Sequence, residues 1–186
     1  VSPFGRGRRR DVEQRRAALE PLLEALGAAV GDLAGEDPPR EGPGAADYQE
    51  ALDLYASARD ALPAADEREE VVLVRGDLIR GLIAARRARA FADGGPLPVE
   101  GLAAAAGLCV FDPGHGWAVE EREVTTDLGL PTRAPLCAAC ADRAGSGRWP
   151  VVRMVPLNRG VVPYWEGLGV ESGFGPEVYP RWLRRS

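Results

Sequence analysis

Apolar side chains between residues 11 and 34 recur at three- and four-residue spacing, with Leu19, Leu22, Leu26, Val30 and Leu33 forming one stripe. That period predicts an amphipathic helix. Pro21 falls inside it and predicts either the start of the main helix, with Asp11 to Glu20 a separate turn, or a kink. The stretch from Gly35 to Gly44 is rich in proline, glycine and acid and reads as a loop. A second helix is expected from about Ala46 to Leu62, with Tyr48, Leu52, Tyr55, Ala58 and Leu62 on one face and Pro63 at its end. Asp66 is a suitable cap for a third helix, with Glu69 three residues on. Val71, Val74, Leu78, Leu82 and Ile83 carry that helix to about Phe91, and Asp93-Gly94-Gly95 stops it.

The pattern changes after Gly95. Pro96 and Pro98 precede Val99 to Gly107, which reads as a short helix or linker. Beyond it the chain has short strand-like runs. Glu121 to Thr126 has strand propensity. Val151 to Val155 and Val161 to Trp165 flank a loop containing Asn158 and Gly160, which predicts a hairpin. The segment Tyr48-x-x-Ala51-Leu52-x-x-Tyr55-x-x-Ala58 resembles the first helix of a tetratricopeptide repeat. No second copy follows at the right period, so it reads as a small-residue helix packing closely on its neighbours.

Composition adds limits. A length of 186 residues suits one domain, or a helical segment plus a small module. The net charge of -5 gives no general reason to expect nucleic-acid binding. All 23 basic side chains are arginine, a bias expected of a GC-rich genome rather than of one physical task. The N-terminal arginines Arg6, Arg8, Arg9 and Arg10 are not followed by the apolar run of a secretory signal. The longest apolar run, Leu102 to Phe111, is too short to cross a bilayer. A cytoplasmic protein is therefore expected, and an odd number of cysteines also suits a reducing compartment.

The chemistry is concentrated. All three cysteines and the single histidine fall in one short stretch, as Cys109, His115, Cys137 and Cys140. Thiolates and imidazole are the ligands Zn²⁺ prefers, and four of them close a tetrahedral shell. The Cys137-x-x-Cys140 pair precedes good helix formers and is placed at a helix N-terminus, where backbone N–H groups favour thiolate charge. Asp112-Pro113-Gly114 is turn chemistry that folds Cys109 and His115 back toward one point. A turn, a β-hairpin and a helix carrying the last two ligands is the order of a treble-clef zinc finger, although a five-residue gap replaces the usual C-x-x-C knuckle.

Two other readings use the same residues. A redox C-x-x-C leaves Cys109 and His115 without a role, and the βαβ pattern that carries such motifs is missing. A zinc hydrolase or deaminase-like enzyme would use Glu120 or Glu121 as base. The deaminase signature places Glu two residues after the histidine and Pro directly before the first cysteine of the pair; here Trp117 holds the first position, and Leu136 separates Pro135 from Cys137. Nucleic-acid binding through Arg122, Arg133, Arg143 and Arg148 is a third function class. Trp149, Tyr164, Trp165, Phe174, Tyr179 and Trp182 are half of the chain's aromatic residues. They read first as anchors that staple a thin module to the helices, and second as a recognition surface.

Cys109-Val110-Phe111-Asp112-Pro113-Gly114-His115-Gly116, the Leu136-Cys137-x-x-Cys140 run and Val162-Pro163-Tyr164-Trp165 together resemble an uncharacterised family of small actinobacterial proteins. The resemblance implies a helical N-terminal half followed by a Cys/His site and brings no activity with it. The expected fold is α+β: a helical hairpin or three-helix bundle, then a small zinc-stabilised, β-containing module. The expected divisions are a flexible basic tail (1–10), the helices (11–93), a linker (94–107) and the zinc module with its aromatic tail (108–186). The expected function is a non-enzymatic zinc-binding adaptor or scaffold acting on a protein partner, with self-association through the helices a further expectation.

Overall fold

A computed structural model describes residues 3–36, 41–95, 107–125, 131–148, 151–157 and 160–164. The helical periodicity produces three helices: α1, Pro3–Gly35; α2, Gly42–Ala64; and α3, Arg68–Asp93. Each packs on the other two. Leu19, Leu22, Leu26, Val30 and Leu33 are all buried, so the stripe of α1 is its core face. Pro21 does not divide α1 into a separate turn and a main helix. Proline in a helix interior forfeits a backbone hydrogen bond and costs about 3 kcal/mol. Here the ring is fully buried with the leucine stripe, which offsets part of that. The start of α1 also differs from expectation: residues 3–10, read as a tail, are helical. Arginine is a good helix former. Arg9 pairs with Glu13 at 3.2 Å and Arg15 with Asp11 at 3.0 Å, both one turn apart, so the helix persists beyond the end of the apolar stripe.

In α2 the wholly buried positions are small. Ala51 and Ala58 have no exposed surface, while Tyr48, Leu52 and Tyr55 pack half-buried against the same core. A Cβ on Gly27 of α1 would come within 2.9 Å of the Tyr55 ring, and one on Gly81 of α3 within 2.7 Å of Leu26. Small residues thus set the spacing of the bundle. One charge is buried at this seam among the described residues: Asp47 of α2 meets Arg87 of α3 at 3.3 Å. The cap of α3 is shifted one residue from expectation, to Glu67 with Glu70 as its partner. The Glu70 carboxylate accepts from the backbone N–H of Asp66 at 2.9 Å and of Glu67 at 3.3 Å. Those donors hold its carboxyl below the ordinary value. The three-residue spacing is kept, in the frame that turns Val71, Val74 and Leu78 inward. Gly94, with φ of 63°, closes the helix in the left-handed conformation.

The expected boundary between helices and module, at residues 94–107, lies almost wholly outside the described residues. From Gly107 onward come a 3₁₀ turn (Pro113–His115), β1 (Glu120–Thr125), β2 (Pro131–Leu136), α4 (Ala138–Gly145), β3 (Met154–Leu157) and β4 (Gly160–Pro163). The strands form two separate antiparallel pairs, β1 with β2 and β3 with β4. Pro131 and Pro135 conceal β2 in the sequence; both are tolerated because the ribbon is only two strands wide. In the second hairpin the first strand starts three residues later than expected and the second one residue earlier, with Met154 opposite Pro163. Arg153, just before β3, accepts from Tyr164 N–H at 3.0 Å while its own N–H donates to the Phe111 carbonyl at 2.8 Å. Of the six C-terminal aromatics only Tyr164 is described, and it is fully buried.

One continuous core joins the helices to this module. The 3₁₀ turn and β3 lie against α1, and Arg153 pairs with Glu24 of α1 at 3.0 Å. The architecture is α+β, and among the described residues no helix is long and apolar enough to cross a membrane.

Two glycines of α3 test the packing. Gly76 faces open space, so Gly76→Ala is expected to stabilise by up to about 1 kcal/mol through helix propensity. Gly81→Ala gains the same term but meets Leu26 and Leu54, and overpacking costs about 1–3 kcal/mol. In urea unfolding the second variant should be no more stable than wild type and clearly less stable than the first.

Candidate metal centre

Each of the four donors is delivered by a different local device. Cys109 lies in a folded loop: its N–H donates to the Gly116 carbonyl at 3.0 Å, and Val110 N–H donates to the Pro135 carbonyl at 3.0 Å. The loop is thereby closed on itself and tied to β2. His115 ends the 3₁₀ turn. Asp112 caps that turn, its Oδ1 accepting from Gly114 N–H at 2.8 Å, and Gly116 follows with φ of 77°. Cys137 is the N-cap of α4, with extended backbone angles, and Cys140 lies in the first turn. The β1–β2 ribbon separates the two pairs along the chain. Arg122 of β1 donates to the Ala141 carbonyl at 3.0 Å and so ties the ribbon to α4.

These devices bring Cys109, His115, Cys137 and Cys140 together, with one ligand atom from each within 4.8 Å of all the others. Nδ1 of His115 is 3.4 Å from Cys140 Sγ. A tetrahedral zinc shell has S···S edges of about 3.8 Å and S···N edges of about 3.6 Å, from its bond lengths. Contraction of the cluster by roughly an ångström along its longest edge would reach that geometry. The three sulfurs are buried and the imidazole stands at the surface. Along the chain the order is turn, ribbon, helix, with the 3₁₀ turn carrying His115 and the helix start carrying Cys137 and Cys140.

Burial, followed by the neighbouring Cys109 and Cys137 sulfurs, pushes the Cys140 thiol well above its ordinary value. Burial also raises Cys109, while the backbone N–H groups of Cys137, Phe111 and Asp112 pull it back. Those three N–H groups are aimed at a sulfur, where they stabilise a thiolate once a cation is present.

Glu120 and Glu121, the bases an enzyme would use, are outside the cluster. Glu120 pairs with Arg122 at 2.9 Å and Glu121 faces Arg133 at 3.8 Å. Arg148 donates to Ser146 Oγ at 3.0 Å. Sequence reasoning used Asp112 only as a turn residue and did not register that its second oxygen faces the His115 ring, 3.8 Å from Nε2. A carboxylate three residues before a candidate ligand was the available signal. Comparison with known proteins finds no family model that matches the chain, no similar curated protein and no similar solved structure.

Metal binding at this cluster must displace thiol protons, because Cys109 and Cys140 are held protonated at neutral pH in the free protein. Titration with Zn²⁺ at pH 7 should release at least two protons per metal, those of Cys109 and Cys140. Calorimetry in buffers of different ionisation enthalpy measures this number. Affinity should rise with pH, by roughly tenfold per unit for each proton displaced. Release of fewer than two protons would mean that the sulfurs are not all ligands.

Proposed function

We propose that the protein binds one Zn²⁺ through Cys109, His115, Cys137 and Cys140 in a structural site, and that it acts as a non-enzymatic adaptor for a protein partner. The observation that carries this reading is the convergence of all the chain's thiols and its only imidazole within 4.8 Å. Three soft sulfurs and one nitrogen suit zinc, and four protein ligands leave no open position for substrate or water. The engagement of Glu120 and Glu121 with arginines supports a non-catalytic role, and the engagement of Arg122 and Arg133 with acids argues against a nucleic-acid surface. A site of this kind needs its thiols reduced, which fits a reducing compartment such as the cytoplasm.

The adaptor half of the reading rests on the helices. An open groove of about 270 Å³ lies where α2 ends and α3 begins, lined by Ala61, Ala64, Ala65, Glu70, Leu73, Val74 and Asp77. Leu73 at its edge is 70% exposed and Val72 beside it 43%. An exposed leucine next to an apolar groove with an acidic rim is the kind of surface a partner helix or peptide covers.

Native mass spectrometry with and without chelator tests the zinc reading, with one zinc per chain expected and lost on chelation. Cys137→Ser should lower the zinc content and remove hydrogen-exchange protection from residues 107–164 while the helices stay protected. Full metal content and unchanged protection in that variant would remove Cys137 from the ligand set. Leu73→Asp should change stability by no more than about 0.5 kcal/mol, as surface substitutions do, leave zinc content intact and abolish partner binding.

A further inference from the structure

The two ring nitrogens of His115 have different surroundings. Nδ1 faces the donor cluster, 3.4 Å from Cys140 Sγ. Nε2 faces away from it, toward Asp112 Oδ2 at 3.8 Å. The Asp112 carboxylate is fixed by its other oxygen, which accepts from Gly114 N–H at 2.8 Å, and His115 N–H donates back to the Asp112 carbonyl at 3.0 Å. Its side chain is only 15% exposed, so little of its charge is spent on water.

We infer that Asp112 is the positioning residue of the metal site: it holds the proton of His115 on Nε2 and so presents the Nδ1 lone pair to the metal. This rests on the zinc reading above. A neutral imidazole has one N–H and one lone pair, and the partner of the first decides where the second points. A carboxylate beside Nε2 favours the proton there. The 3.8 Å approach is longer than a hydrogen bond, yet at that range in a part-buried site the negative charge still selects the tautomer. Metal binding at Nδ1 in turn polarises Nε2–H toward the carboxylate, which raises affinity. Asp112 would then serve twice, with one oxygen shaping the turn and the other orienting the ligand.

The two roles separate on substitution. Asp112→Asn keeps an oxygen for Gly114 N–H but replaces the charged Oδ2 with an amide NH₂, which donates only and cannot accept from Nε2–H. The full-length variant should still bind one zinc, about 10–100-fold more weakly than wild type in competition with a chromophoric chelator. Long-range ¹⁵N–¹H spectra of the single histidine should show, in the zinc-loaded wild type, a protonated Nε2 and a metal-bound Nδ1. Affinity within twofold of wild type would overturn the inference and leave the zinc reading standing, as would a ring ligated through Nε2. A wild-type protein that takes up no zinc at all would overturn both. Should Asp112→Asn fold poorly, Asp112→Ser, which also offers an oxygen to Gly114 N–H and lacks the charge, carries the same affinity comparison.

Discussion

The described part of the C-terminal module has little packing of its own. Among the described residues it holds two ribbons of two strands and a helix of eight residues, which bury little surface by themselves. The segment from Leu108 to Phe111 compensates for this. All four of its residues are at most 5% exposed; Cys109 belongs to the donor cluster, and Phe111 lies in the core shared with α1. The cluster and the hydrophobic seam are therefore neighbours on the chain. The Phe111 carbonyl receives Arg153 N–H, and Arg153 reaches Glu24 of α1. These few links form a continuous path of contacts from the sulfurs to the surface of α1.

The electrostatics of the cluster suit two states. With their protons on, the buried thiols behave as small hydrophobes and fit an apolar site. With a divalent cation and three thiolates, the site carries about one net negative charge. The backbone N–H groups aimed at Cys109 and the N-terminal end of α4, where Cys137 and Cys140 sit, oppose that charge. The same backbone arrangement thus tolerates the protonated cluster and stabilises the charged one. The loop and cap geometry need not be rebuilt when the protons leave.

How far the sequence foretold this structure depends on how local each signal was. The α1 stripe, the Gly94 stop and the helix beginning at Cys137 are written in consecutive residues, and each stands where expected. The clustering of Cys109, His115, Cys137 and Cys140 was readable because those residue types occur nowhere else in the chain. β2 was hidden because Pro131 and Pro135 count against a strand by propensity, and only its pairing with β1 makes it one. The bond from Arg153 N–H to the Phe111 carbonyl, just before β3, is a contact across more than forty residues of chain and has no local signal. Asp47 on α2 gave no sign of burial, because its partner Arg87 lies on another helix. Asp112 was half legible: its turn role is local, and its approach to the His115 ring is a matter of side-chain direction.

The proposed partner surface and the metal site draw on different residues. The groove is built wholly from α2, α3 and the link between them, residues 61–77. The donors come wholly from residues 109–140. A partner that reads only the helices would be indifferent to chelation except through the stability of the bundle. A partner that also touches the module would lose it as the module came free. Under the proposed function, whether a metal bears on recognition would depend on whether the recognised surface crosses the seam at α1, where the 3₁₀ turn and β3 rest on the helix. A metal that holds the module's own turn, ribbon and helix together would make the module a second, metal-dependent half of one surface, and the continuous core beneath both halves would keep them in register.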